Sequence, residues 1–183
     1  MSTFTTIFLS EISDNKSGRE RSASALVRQG DWQFFQLSNY TSASPLNVLA
    51  GATTKITFSS SDISYSTGNG FIPSYDYVNQ KFSPSVLNDV FLVEIRTKLR
   101  CSLQNGHGDL LLESPTFAFN PIQAQSISVV KAANTPQFVS VSVPVFIGQD
   151  IIDNGLEVKW SSVSGTFSLY DISFMIVRLS SGI

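Results

Sequence analysis

Cysteine, histidine and charge are all scarce in this chain of 183 residues, and each shortage removes a class of function. The single cysteine, Cys101, cannot form an internal disulfide, which excludes a disulfide-stapled secreted scaffold. One cysteine and one histidine, His107, cannot supply the usual closed set of nitrogen and sulfur ligands for zinc within one chain. Charged residues make up 14% of the chain against roughly 25% in globular proteins, so Ser, Thr, Asn and Gln must carry much of the polar surface. The balance of 12 Lys+Arg against 14 Asp+Glu gives a net charge of −2, with no basic cluster to neutralise a row of phosphates. Nucleic acid is therefore not an expected partner. No run of about 18 apolar residues exists, so no membrane span is expected. In Met1–Ser10 the apolar Ile7-Phe8-Leu9 is too short for a signal core and Glu11 follows almost at once, which argues against a secretion signal.

Catalytic and cofactor signatures are missing as well. His107 sits between two glycines in the turn-like stretch Asn105-Gly106-His107-Gly108-Asp109. Asp109 is the only carboxylate suggested beside it, and no nucleophile elbow of the G-x-S-x-G kind occurs. Cys101 falls on the apolar side of a strand, where a thiol serves as a small buried hydrophobe. Asp150, Asp153, Asn154 and Glu157 form the one carboxylate grouping that could hold a cation, but they lack the one-three-five spacing of a calcium loop and read as a solvated segment. Gly68-x-Gly70 lacks the further glycine and lysine of a phosphate loop. The expectation is a non-enzyme with no catalytic residue, no metal and no cofactor.

What the chain does have is period-two patterning. Phe91, Val93, Ile95, Thr97, Leu99, Cys101 and Leu103 alternate with Leu92, Glu94, Arg96, Lys98, Arg100 and Ser102, which predicts a long strand. The turn chemistry at residues 105–109 predicts a strand pair around it. Val139, Val141, Val143, Val145 and Ile147 line one face of another strand, ending at Gly148-Gln149-Asp150. Leu156, Val158 and Trp160 alternate with Glu157, Lys159 and Ser161 in the next, which Ser164-Gly165 breaks. Leu46, Val48, Ile56 and Phe58 suggest an earlier strand pair linked by Ala50-Gly51-Ala52. Phe167–Leu179 differs, because its apolar residues fall on both faces. With no helix of convincing length, the fold class is all-β, an antiparallel jelly-roll sandwich.

Two units are expected. Residues 45–183 form the jelly-roll domain. Residues 1–44, with Lys16, Arg19, Glu20 and Arg21 in a Ser-rich setting and the aromatic cluster Trp32, Phe34 and Phe35, read as an extended N-terminal arm. Phe4, Ile7, Phe8 and Leu9 are the arm's candidates for docking on a partner sheet edge, an added strand of the chain's own fold being the alternative. A strand in a two-layer sandwich has one core face, so the second apolar face of the last strand must meet either the arm or another subunit. Phe167, Leu169, Tyr170, Ile172, Phe174 and Ile176 are the candidate oligomer interface. Tyr65, Phe71, Tyr75 and Tyr77 lie together near turns, either as a sugar- or receptor-binding platform or, more simply, as core packing.

The order of these segments carries a resemblance. Leu46 to Phe58, Tyr75-Asp76, Gln80-Lys81-Phe82, the long strand 90–103, the Gly148-Gln149-Asp150 turn and the aromatic-rich closing strand are similar to trimeric jelly-roll domains of bacteriophage virion proteins. Those domains resemble the heads of complement-type and tumour-necrosis-factor-like trimers. The resemblance spans about residues 46–180 and rests on strand pattern and short turn motifs. It implies a homotrimer with its closing strand near the three-fold axis, displayed on a virion and assembled in the host cytoplasm. Its partners would be copies of itself and other virion proteins such as the major capsid protein. The chain has no long shaft of the kind a tail fibre carries, which favours a capsid decoration or cement protein, or a head fibre, gripping the shell through its arm. A receptor-binding tail-fibre tip, working through the Tyr-rich loop, is the alternative.

Overall fold

The computed structural model describes residues 32–66, 74–116 and 121–180. Among the described residues the chain order is β1 (Trp32–Gln36), β2 (Leu46–Val48), β3 (Thr53–Lys55), β4 (Ile63–Ser66), β5 (Ser74–Asp76), β6 (Lys81–Ser83), β7 (Val90–Cys101), β8 (His107–Glu113), β9 (Gln123–Ser128), β10 (Gln137–Phe146), α1 (Gln149–Asn154), β11 (Glu157–Ser164) and β12 (Phe167–Ser180). The strands form a larger sheet, β10-β7-β12-β1-β4 with β2 also on β12, and a smaller one, β3-β11-β8-β9; β5 and β6 pair with each other. All pairings are antiparallel. The two sheets face each other across one hydrophobic core, the sandwich that the alternating patterns predict.

The expected hairpin around Asn105 does not form. The inward residues of β7 and β8 line opposite walls of the core, so the chain leaves one sheet at Cys101 and enters the other at His107. The early strand pair fails in the same way: β2 joins β12 and β3 joins β11. Such crossings are what distinguish a jelly roll from a meander. Ile56 and Phe58, expected within that strand pair, lie past the end of β3 and are buried.

The domain boundary also moves. Trp32–Gln36 pairs with β12 on one side and β4 on the other, so Trp32, Phe34 and Phe35 belong to the larger sheet and not to a separable arm. Phe35 is buried against Phe58 and Phe82, with ring centroids 5.3 Å and 6.0 Å away. The added-strand alternative holds for these residues. Phe4, Ile7, Phe8 and Leu9 lie outside the described residues.

In β12 the inward series runs Phe167, Leu169, then Ile172, Phe174, Ile176 and Arg178. The three-residue step marks a bulge between Tyr170 and Ser173, where Asp171 takes a left-handed φ of 50°. One extra residue inverts the parity, and past it Ile172, Phe174 and Ile176 face the core while Met175, Val177 and Leu179 face outward, so the end of the strand is apolar on both faces. Arg178 closes the series at the far end, its Nη2 donating to Asp89 Oδ1 at 2.7 Å with both side chains 1% exposed. At the other end Cys101 is wedged between Gly106 and Gly165, where a Cβ on either glycine would collide with its Sγ.

Two outcomes test this packing. Removing one member of a buried ion pair leaves an uncompensated charge, so Arg178→Met should lower the unfolding free energy by about 3–5 kcal/mol, while Arg178→Met with Asp89→Leu should recover most of it in denaturant titrations. Gly106→Ala should cost about 1–3 kcal/mol through overpacking. Cys101→Ala in the same chain should return part of that loss, as measured by thermal unfolding.

Candidate functional site

The two sheets present outer faces of opposite character. On the larger sheet, antiparallel register sets Tyr65 beside Phe34, Phe34 beside Met175, Trp32 beside Val177, Val177 beside Leu92 and Leu92 beside Pro144. Directly opposed residues share a face, so these side chains make one apolar stripe running across five strands. Phe34, Leu92, Met175 and Val177 are half-buried, while Tyr65 is 61% exposed. The charges beside the stripe satisfy one another. Arg96 Nε donates to Glu94 Oε1 at 2.7 Å, and Ser140 Oγ donates to the same oxygen at 3.0 Å. The hydrogen bond from Arg96 holds the Glu94 carboxyl below the usual range. Lys98 reaches Asp171 at 3.0 Å, and the Arg100 guanidinium lies 5.1 Å from the Tyr170 ring centroid.

The smaller sheet's outer face is mainly polar, with Leu111 and Ala124 its apolar members among charged and hydroxyl side chains. Lys55 Nζ contacts Glu157 Oε1 at 2.5 Å, and Lys159 Nζ contacts Glu157 Oε2 at 3.0 Å and Glu113 Oε2 at 2.6 Å. The four alternate in sign across β3, β11 and β8. Burial pushes the Glu157 carboxyl up, but hydrogen bonds from Lys55 and Lys159 outweigh that and hold it below its ordinary value. Burial likewise lowers Lys159, and its bonds to Glu113 and Glu157 outweigh that and raise it. Thr53 Oγ1 donates to Ser161 Oγ at 2.9 Å, continuing the polar surface.

His107 is the first residue of β8, not part of a turn. Its Nδ1 is 3.2 Å from Ser128 Oγ and its Nε2 is 3.6 Å from Asp109 Oδ1, while Ser126 Oγ donates to that oxygen at 2.6 Å. The group ties β8 to β9 on an outward, solvent-facing surface. Asp150, Asp153 and Asn154 lie on α1 and bond within it: Gln149 Nε2 donates to Asp153 Oδ1 at 2.8 Å, and Asn154 Nδ2 donates to the Asp150 carbonyl at 3.0 Å. Glu157 is held apart by its lysines. Among the described residues, no three His, Cys, Asp or Glu side chains are placed to hold a metal ion.

The expected interface residues fall elsewhere than foreseen. Phe167, Leu169, Ile172, Phe174 and Ile176 are 0–2% exposed within the single chain's core, and Tyr170 is buried beneath Arg100. A side chain sealed in its own core cannot contact a second copy. Past the bulge the outward apolar residues of β12 are Met175, Val177 and Leu179, which parity would have identified had the bulge at Asp171 been visible. Of the two readings of the Tyr-rich group, packing holds for Tyr75. Tyr75 is buried, 4.2 Å from Phe58 and 4.8 Å from Phe82 by ring centroid, and its hydroxyl donates to Gln80 Oε1 at 2.8 Å. Burial raises its pKa. Tyr77 packs edge-on against Tyr75 at 5.1 Å, and Tyr65 stands on the larger sheet beside Phe34. Phe71 lies outside the described residues.

The fold is that of tumour-necrosis-factor-like jelly rolls. The chain is similar to the Eiger TNF of S. frugiperda, with a TM-score of 0.52 at 13% identity, covering 85% of this chain and 96% of that one. It is also similar to the PRD1 vertex protein P5, with a TM-score of 0.50 at 11% identity, covering 82% of this chain and 74% of that one. No family model and no curated protein matches the sequence.

The ion network sets an acid limit to stability. Glu157 has a folded pKa below its ordinary 4.5, so its contribution is complete above that value and fades as pH falls through the folded pKa. Lys159, raised above 10.5, contributes fully below that value and fades only at higher pH. The melting temperature should therefore be flat near neutrality and fall below about pH 4.5, and Glu157→Gln should flatten that acid limb in scanning calorimetry.

Proposed function

We propose that this chain is a structural protein of a bacteriophage particle, a homotrimer that serves as a capsid decoration or cement protein or as a head fibre. The contrast between the two outer faces carries this reading. The face of β4, β1, β12, β7 and β10 sets Phe34, Leu92, Met175 and Val177 in a continuous apolar stripe among mutually neutralised charges, as a surface buried between copies requires. The face of β3, β11, β8 and β9 carries the Lys55–Glu157–Lys159–Glu113 network and suits exposure to water. Trimerisation through the first face puts β12 toward the three-fold axis and turns the second face outward. The likeness of fold to the PRD1 vertex protein P5 supports a virion role. Residues 1–31, which include Phe4, Ile7, Phe8 and Leu9, would then grip a shell protein such as the major capsid protein. The particle would take up the trimer after it folds in the host cytoplasm.

Light scattering coupled to size exclusion reads the outcome directly. The full chain should run at three times its 20.0 kDa mass. Met175→Asp with Val177→Asp should give a folded monomer, because two carboxylates on an apolar contact of about 800 Å² per partner cannot be desolvated without partners. A wild-type monomer at micromolar concentration would overturn the reading.

A further inference from the structure

Four connections meet at one end of the sandwich: residues 49–52 between β2 and β3, 102–106 between β7 and β8, 129–136 between β9 and β10, and 165–166 between β11 and β12. Backbone hydrogen bonds brace them into one platform. Gly51 N donates to Ser162 O at 2.8 Å, Ser102 N to Thr166 O at 2.9 Å, Asn105 N to Val129 O at 2.9 Å and Asn134 N to Cys101 O at 2.6 Å. From this platform project Leu49, Leu103 and Val130, with Val163 at the adjoining bulge of β11, between 51% and 72% exposed. Bracing matters because the aliphatic side chains are held outward while the peptide groups behind them are already paired.

The charge at this end is as selective as its hydropathy. The whole chain has more acidic than basic residues, yet none of the four connections contains Asp or Glu, and Lys131 is their one cation. Most carboxylates gather at the other end, at Asp89, Glu113, Asp150, Asp153 and Glu157, while Asp109, two residues into β8, is tied to Ser126 beside the platform. That other end is also where the described chain begins, since Trp32 lies beside Val177 near the close of β12. The four connections therefore face away from the point where residues 1–31 attach.

We infer that this end docks on a lipid bilayer carrying anionic headgroups. The aliphatic groups stand on separate loop tips instead of lining a concavity, and a fluid acyl layer closes around such protrusions where a rigid protein would need matching pits. The absence of carboxylates removes repulsion from an anionic surface, and Lys131 adds attraction that salt would screen. This inference stands apart from trimerisation, which uses the outward face of the larger sheet.

Flotation of the full chain with vesicles tests it. The protein should float with phosphatidylglycerol–phosphatidylcholine vesicles more than with phosphatidylcholine alone, and added salt should weaken the binding. Leu103→Ser with Val130→Ser should lower the partition coefficient about tenfold or more, since each methylene withdrawn from lipid weakens binding. Leu87→Ser, in the connection between β6 and β7 at the opposite end of the sandwich, should leave binding unchanged. The three substituted side chains are exposed, so the melting temperature and oligomeric mass of the variants should match the parent. No partition into anionic vesicles, or partition indifferent to the Leu103 and Val130 changes, would overturn the inference. So would binding seen only on host membranes and abolished by prior protease treatment, which would identify a protein partner.

Discussion

Everything in this fold depends on the pairing of β12 along both its edges. One edge bonds to β7 from Phe167 to Ser180, while the other is shared between β2 at Phe167–Leu169 and β1 at Ser173–Val177. A strand paired along most of both edges keeps most of its amides bonded, and its inward face can then carry the largest rings of the core. Phe174 meets Phe58 at 4.9 Å, and Phe167 meets Trp160 at 5.3 Å across the gap to the smaller sheet. The two sheets are thereby joined through one element. The strand's outward face is left to do something else, and its composition differs accordingly.

That division also explains why charge is sparse yet effective. Nearly every charged side chain on the outer faces meets a partner of opposite sign, from Glu94 with Arg96 to Glu113 with Lys159. Individually such exposed pairs contribute little. Their value here lies in arrangement: neutral on the apolar face, alternating on the polar one. The surface is sorted without a large net charge.

The sequence made some of this legible and hid the rest for physical reasons. Alternation from Phe91 to Cys101, from Val139 to Val145 and from Leu156 to Trp160 reported inward faces correctly, because those strands run without an early bulge and period two survives. Partner choice was not legible. Asn105-Gly106 announces a change of direction, but whether the chain folds back beside β7 or crosses to the opposite sheet depends on contacts far away in sequence. The parity of β12 was hidden by one residue, Asp171, whose left-handed conformation no periodic pattern reveals. That shift placed core residues such as Phe174 in the candidate interface and left Met175 and Val177 out of it. Tyr75 shows the opposite case: turn residues surround it, yet its ring completes the aromatic core.

The wedge at Cys101 has a consequence in redox terms. The thiol is fully enclosed, with Gly106 and Gly165 pressed against its sulfur. A mixed disulfide or a sulfenic acid would need volume that the site lacks, and a second sulfur cannot approach while the chain stays folded. Copies crowded together on any surface therefore cannot become covalently cross-linked through this residue, however oxidising the medium. Whatever assembly the chain enters is therefore not held by a disulfide through Cys101.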